Sequence, residues 1–362
     1  MQLLMLPRYD ALGASSRVRM LQYVPALEAG GVETTVSPLL DDEYVRALYA
    51  GRNSIKSIFA GYIRRLARVL ASRKFDVIWL EKEVFPWLPS LLDVGLFPAR
   101  SKLVVDYDDA VFHRYGEHEK AGIRRFLGGK IETVMRRADL VTAGNGYLAE
   151  RAKSSGAKWI EYLPTAIDLN RYASVPKRET TQEVTVGWIG SPATAEYLHM
   201  VTSALETLRL RHAIRCIAIG PREDQVEGTP FEAWRWQESN EVELLRQFDI
   251  GIMPLPNAAW ERGKCGYKLI QYMACSMPVV ASPVGANREI VVHGENGQLA
   301  STTAEWISGL EKLVIDADLR RRMGDMGRRR VESGYSIQMQ APRLLEMLKK
   351  VGGKNRASVC AV

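Results

Sequence analysis

The chain alternates short apolar runs with amphipathic stretches, and the alternation starts afresh halfway along. Leu3–Leu6, Val77–Leu80, Leu103–Val105 and Leu140–Thr142 are aliphatic runs of strand length, bounded by polar or turn residues. Between them, Val18–Ala29, Ile55–Ala71 and Ile123–Arg137 repeat apolar residues at helical spacing, and Gly30-Gly31 closes the first as a C-cap. A βαβα order predicts a parallel sheet with helices on both faces. The segment 171–183 then breaks the pattern with Pro176 and a polar KRETTQE run. Val184–Ile189 begins it again, followed by a helix over about 193–208, strands at Ile214–Ile219, Ile250–Met253, Pro278–Ala281 and Gly297–Leu299, and helices at Tyr267–Cys275, Thr303–Val314, Leu319–Gly334 and Met339–Val351. With 362 residues, room for about two domains, the expectation is α/β: two tandem Rossmann-like, doubly wound domains over 1–172 and 184–338. A linker covers 173–183, a closing helix over 339–351 can pack back on the first domain, and a disordered tail covers 352–362. Ligands of such sheets bind beyond the carboxyl ends of the strands.

Composition narrows the class of partner. The chain carries 49 Lys+Arg against 42 Asp+Glu, and from Tyr44 to Phe75 it has no acidic residue but eight basic ones: Arg46, Arg52, Lys56, Arg64, Arg65, Arg68, Arg73 and Lys74. This stretch suits an anionic partner, such as phospholipid headgroups or a phosphorylated substrate, and equally suits a solvated helix face. Packing the helix's apolar face on the sheet would leave a reversible, salt-sensitive membrane association without insertion. Nucleic acid is not expected, because no aromatic residues are interleaved to stack bases. The four cysteines form no C-x-x-C pair and no histidine lies at zinc spacing, so no metal is expected. The opening MQLLMLPRYD reads as a first strand rather than a leader. Val84–Ala99 holds three prolines and Asp93, so a core helix with its leading loop fits better than a membrane-dipping segment. The expectation is a cytoplasmic protein, at the inner face of the membrane where the basic stretch meets it.

The chemistry concentrates in Trp260–Leu299, WERGKCGYKLIQYMACSMPVVASPVGANREIVVHGENGQL. Gly263 and Gly266 flank Lys264 and Cys265 in a loop that leads into a helix near Tyr267. Unpaired N–H groups and the positive end of a helix suit a phosphate there. Lys268 and Gln271, three apart, share a helix face, so one can address phosphate and the other hydroxyls. A second loop, Pro283-Val-Gly-Ala-Asn287, opens a second helix with Glu289 in its first turn. An ordinary βαβ unit with two plain loops is the competing reading.

This stretch resembles the donor-binding region of retaining glycosyltransferases of family 4, which have the GT-B fold. The likeness extends along the chain: RRADLVTAGNGYLAERA, LPTAID, FDIGIMPLP and DLRRRMGDMGRRRVESGYS resemble further segments of that family in the same order. The resemblance implies two domains facing a cleft and a nucleotide diphosphate-sugar donor with no cofactor. It implies transfer to a hydroxyl of a glycan, a lipid-linked intermediate or a small molecule, in surface glycan or glycoconjugate synthesis. Its donor set would be Gly190, Ser191, Trp236, Arg262, Gly263, Lys264, Cys265, Gly266, Lys268, Gln271, Gly285, Asn287 and Glu289. The departures matter. The family's first motif glutamate falls on Gly263, with Glu261 two residues earlier, and the second falls on Gln271. The basic pair after the first strand of this half is absent from VGWIGSPATAEYL, so Arg262, Lys264 and Lys268 are the replacements, with Ser191 and nearby N–H groups.

In the first half the resemblance puts the acceptor near Gly13, Ser15, Ser16 and Arg17, which follow the first strand. It adds Glu81 and Glu83, which close another strand, and His113. Asp109 or His113 falls where the family places a histidine that meets the donor sugar, so Asp109, Lys264 and Lys268 form the expected catalytic set. Asp106-Tyr-Asp108 matches a D-x-D metal motif on its surface, but the resemblance is to metal-independent catalysts. Trp234 and Trp236 can stack a base or pack the core. Two other readings stay open: a nucleotide-sugar epimerase of the same fold, and a non-catalytic sugar-nucleotide-binding member.

Overall fold

The structure, a computed structural model, describes residues 1–52, 54–172 and 183–353. It forms two compact units: Met1–Thr165 with Gly263–Cys265 and Ile337–Val362, and Ala166–Arg262 with Gly266–Ser336. Apart from Glu183, the expected linker lies outside the described residues, as does the tail from residue 354.

The first unit is built on a parallel sheet of β1 (Gln2–Leu6), β2 (Glu33–Val36), β3 (Val77–Glu81), β4 (Lys102–Tyr107), β5 (Leu140–Ala143) and β6 (Ile160–Tyr162). Their order is β2-β1-β3-β4-β5-β6. Helices cover both faces, so the central strands are apolar on both sides: Leu3–Leu6 and Val77–Leu80 have no exposed surface. The direction of winding reverses between β1 and β3, which brings the loop after Leu6 beside Glu81. The edge strands β2 and β6 carry no apolar run.

The second unit repeats the scheme with β7 (Val184–Ile189), β8 (Ile214–Ile219), β9 (Phe231–Trp234), β10 (Ile250–Met253), β11 (Val279–Ala281) and β12 (Gly297–Leu299). Its order, β12-β11-β10-β7-β8-β9, reverses between β7 and β10. The loops that start at Gly190 and Pro254 therefore flank its switch point.

Three expected helices differ from the observed ones. The stretch over 18–29 is two helices, Ala14–Arg19 and Val24–Ala29, joined by a 3₁₀ turn at Leu21–Tyr23, and Pro25 sits in the second one's first turn. The stretch over 123–137 is split into Ala121–Leu127 and Lys130–Arg137 by Gly128-Gly129. The stretch over 193–208 begins as a 3₁₀ helix at Pro192 and becomes α-helical only at Thr202.

The last helix, Ile337–Gly353, packs within the first unit. A Cβ on Gly30 would lie 2.4 Å from Leu345 Cδ2, so this C-cap is glycine for packing, while Gly31 takes the left-handed turn at φ 81°.

The basic helix Ile55–Leu70 corrects a further expectation. Arg65 points inward, not to solvent. Its Nη2 donates to the carbonyls of Pro7 (2.5 Å) and Ser37 (3.2 Å), and burial pushes the guanidinium down to about 9. Gly61 lets the helix approach closely, since a Cβ there would lie 2.2 Å from the Leu39 carbonyl oxygen.

Candidate functional site

In the first unit the switch point holds a dense polar cluster. Ser15 Oγ lies within hydrogen-bond reach of both Glu81 Oε1 (2.9 Å) and Asp108 Oδ2 (2.8 Å), with one proton to share between them, and Ser16 Oγ donates to Glu81 Oε2 (2.5 Å). At the centre is Lys82, a buried lysine at φ 63°, a backbone conformation costly for any side chain. Its Nζ lies 2.8 Å from Asp108, 3.3 Å from Asp109, 3.2 Å from Ser15 Oγ and 3.8 Å from Glu81. Burial alone would lower the lysine's pKa, but the three carboxylates outweigh it and raise it. Burial alone would likewise raise Asp108, but Lys82 and Arg19 hold it below the usual carboxylate range.

Sequence reasoning missed Lys82. The available signal was a lysine between two glutamates at the end of a buried strand.

The D-x-D pattern is divided between two cations. Asp106 takes Nε (2.9 Å) and Nη2 (2.6 Å) of the buried Arg19, while Asp108 faces Lys82. No group of three or more metal-ligating side chains occurs among the described residues.

The expected acceptor residues separate. Ser15, Ser16 and Glu81 join the cluster. Arg17 Nη1 donates to the Ala11 carbonyl. Gly13 does not open the backbone to substrate, because Tyr9 fills that space: a Cβ on Gly13 would lie 2.2 Å from Tyr9 Cβ. Glu83 is turned into the interior, 2.7 Å from Lys130 Nζ and 3.6 Å from Arg8, and accepts from Tyr115 Oη. His113 is engaged at both ring nitrogens, Nε2 with Tyr147 Oη (2.7 Å) and Nδ1 with Glu117 (2.6 Å).

The segment Gly263–Cys265 packs within the same unit. A Cβ on Gly263 would lie 2.6 Å from the Ala110 nitrogen, so no glutamate fits at that position. Lys264 Nζ is 3.7 Å from Asp109, which thus lies between two lysines. Cys265 Sγ contacts the Asp108 carbonyl at 3.1 Å, and burial raises the thiol's pKa far above its usual value.

In the second unit, glycines bring the loops after β7 and β8 together. A Cβ on Gly220 would lie 2.1 Å from the Gly190 oxygen. Ser191 caps the following 3₁₀ helix through its backbone. Lys268 reaches the same place: its Nζ is 4.2 Å from the Trp188 ring centre, 3.4 Å from Thr194 Oγ1 and 2.7 Å from where a Cβ on Gly190 would stand. Lys268 lies in the first turn of the helix Tyr267–Ala274, whose N-cap is Gly266 at φ 67° with no side-chain cap.

Nearby, the buried Glu261 accepts from Tyr197 Oη at 2.5 Å, which together with burial raises the tyrosine's pKa. Arg262 Nε donates to Asn257. Gly285, at φ 52°, passes 2.5 Å (as a virtual Cβ) from the Arg262 oxygen. Asn287 Nδ2 donates to the Ser282 carbonyl, and its buried Oδ1 has no hydrogen-bond partner among the described residues. Glu289 is half-buried, and its carbonyl accepts from Arg330.

Gln271 does not share Lys268's surroundings. It is buried, with Nε2 donating to Tyr172 Oη (3.2 Å); Tyr172 donates to Glu241, which also accepts from Trp236 Nε1 (2.8 Å). Gln271 and Trp236 are thus joined through Tyr172 and Glu241 in one hydrogen-bonded chain.

The fold is that of the GT-B glycosyltransferases. HepE from Anabaena, solved with UDP, superposes with a TM-score of 0.73 at 16% identity, over 97% of this chain and 100% of that one. WaaG, a glycosyltransferase involved in lipopolysaccharide biosynthesis, gives 0.65 at 13% identity, over 96% and 99%. Residues 183–316, most of the second unit, match the family model described as Glycosyl transferases group 1. The N-acetyl-alpha-D-glucosaminyl L-malate synthase of Bacillus anthracis is 29% identical over 97 residues, 26% of this chain and 24% of that protein. The Bacillus subtilis spore coat protein SA is 28% identical over 81 residues, 22% of each. The matched stretch thus spans less than a quarter of the length of these curated relatives.

Proposed function

We propose that the protein is a retaining, metal-independent glycosyltransferase. It moves a sugar from a nucleotide diphosphate-sugar to a hydroxyl acceptor in surface glycan or glycoconjugate synthesis. The observation that carries this reading is the position of Lys268 and the uncapped helix start at Gly266, beside the loop after β7 at the switch point of the second sheet. An ammonium group and the N–H groups of a helix start converging on one place favour the charge that builds on a departing diphosphate. Asn287 Oδ1 can accept from a hydroxyl of the same ligand. The acceptor oxygen bonds to the sugar's anomeric carbon on the face the diphosphate leaves, and its proton departs with the phosphate. On the first unit, Ser15, Asp109 and Lys264 are the acceptor-side groups.

HepE holds UDP, so uridine is the first base to try. The test is incubation with UDP-sugars and hydroxyl acceptors, with the anomeric configuration of the product read by NMR. Retention supports the reading; inversion, or no transfer from any nucleotide sugar, overturns it. Because a lysine and a helix start supply the positive charge, and Asp106 and Asp108 face Arg19 and Lys82, turnover should be unchanged in excess chelator. Loss of turnover that Mn²⁺ or Mg²⁺ restores would refute metal independence. Peripheral contact with an anionic membrane would bring a lipid-linked acceptor within reach.

A further inference from the structure

The helix Ile55–Leu70 carries more apolar surface than the core uses. Around its axis, at about 100° per residue, Gly61, Arg65 and Val69 form the buried arc. Ile55, Phe59, Ile63, Leu66 and Leu70 fall in a separate arc of about 80°, and all five are exposed, Ile55 at 76% and Phe59 at 69%. Among the described residues, no helix is long and apolar enough to cross a membrane.

A second apolar element adjoins this helix. Tyr62 Oη donates to the Pro86 carbonyl at 2.6 Å, which ties the helix edge to the loop after β3. The next residue, Trp87, is held at φ 65° and is 46% exposed, and Leu91 is exposed beyond it. Buried groups hold this strained loop. Asp93 accepts from the N–H groups of Val84 and Phe85, Lys130 donates to the Phe85 carbonyl, and Tyr115 Oη accepts from Trp87 N–H at 3.0 Å. The ring sits edge-on to Tyr115 and His118, and a bulky residue kept in a left-handed conformation yet left nearly half exposed points to a binding role.

We propose that this face docks on an anionic lipid bilayer, with the helix stripe and Trp87 sunk to the boundary between headgroups and acyl chains. Charge selects this occupant. The stretch Tyr44–Phe75 has no acidic residue, so a second copy of the chain would meet like charge, whereas anionic headgroups complement it. Shape agrees: a narrow apolar stripe along about 24 Å of helix, flanked by Lys56 and accompanied by a tryptophan, suits shallow interfacial burial.

The charge contribution is smaller than the sequence suggests, since Arg65 is internal and Arg64 lies 3.8 Å from Asp41. The apolar contribution is correspondingly larger, so docking includes insertion and is not electrostatic alone. The inference is independent of the glycosyltransferase reading; joined to it, it selects a lipid-anchored acceptor.

The test is co-sedimentation of the full chain with phosphatidylglycerol–phosphatidylcholine vesicles, and with phosphatidylcholine alone, at about 0.1 M and about 1 M salt, where the Debye length falls from about 10 Å to about 3 Å. Binding to the anionic vesicles should weaken with salt but persist. Phe59→Ser combined with Ile63→Ser should reduce the partition coefficient about tenfold or more at an unchanged melting temperature, and Trp87→Ser should reduce it further. No binding at low salt overturns the proposal. So does binding that high salt abolishes and the serine variants leave unchanged. Self-association in sedimentation velocity that Phe59→Ser removes would assign the face to a second copy instead. No arm requires turnover, so failure here is distinct from failure of the enzymatic reading.

Discussion

Lys82→Met should destabilise the protein by about 3–5 kcal/mol at neutral pH, the cost of leaving buried charge without its partner. Methionine keeps the length and much of the volume of the side chain, so the loss is electrostatic. Lys82 faces Asp108, Asp109 and Glu81 within 3.8 Å, and only Asp109 of these three is appreciably open to water. The sign of the pH dependence separates this from a packing defect. In the wild type Asp108 is held below the ordinary carboxylate range, so it contributes stability above the unfolded value of about 3.9, lost as pH falls through the folded value. Without Lys82, burial acts on Asp108 opposed only by the remaining cations, chiefly Arg19, and its folded pKa rises. The variant's deficit should therefore shrink as pH is lowered from about 7 towards about 4. Urea unfolding of both proteins at the two pH values measures it. Lys82→Gly should lie about 1 kcal/mol above Lys82→Met, because it removes the same charge and relieves the strained backbone. A methionine variant as stable as the wild type at pH 7 would show that the cluster is not electrostatically coupled.

What could be read from the chain follows from how each signal arises. The inner strands were legible because burial on both faces demands an unbroken aliphatic run, as in Leu3–Leu6 and Val279–Ala281. Strands β2 and β6 lie at the sheet's edges, where Glu33-Thr-Thr-Val and Ile160-Glu-Tyr satisfy the ladder without such a run. The loop at 263–266 was legible from its two glycines and Lys264. Which glycine serves which purpose was not, because the reason lies in what each packs against in the fold: Ala110 at Gly263, Tyr9 at Gly13, Trp188 at Gly190. Charged side chains misled most. Glu83 and Arg65 have a surface composition, yet Lys130 and three main-chain carbonyls hold them inside. Helical spacing puts Lys268 and Gln271 on one face, but spacing does not say that Tyr172 stands where the glutamine points.

Lys268→Met should weaken UDP binding by about 1–3 kcal/mol, roughly 5- to 150-fold, the range for losing a hydrogen bond to a charged group. The structure separates two lysines that adjoin in the sequence. Lys264 packs within the first unit, 3.7 Å from Asp109, and part of its charge is balanced by that carboxylate. Lys268 lies in the second unit against the Trp188 ring and the Gly190 backbone, in the first turn of a helix whose start is uncapped. A phosphate there meets an ammonium and the helix N–H groups together, so deleting the ammonium should leave residual affinity from the backbone. Lys264→Met should therefore cost UDP less than Lys268→Met does. Lys268→Arg should recover only part of the loss, because the guanidinium is bulkier where a virtual Cβ on Gly190 is already 2.7 Å from Nζ. Calorimetric titration of UDP into the three variants decides the matter. Equal affinities for wild type and Lys268→Met, or a larger loss in Lys264→Met, would move the diphosphate away from the β7 switch point.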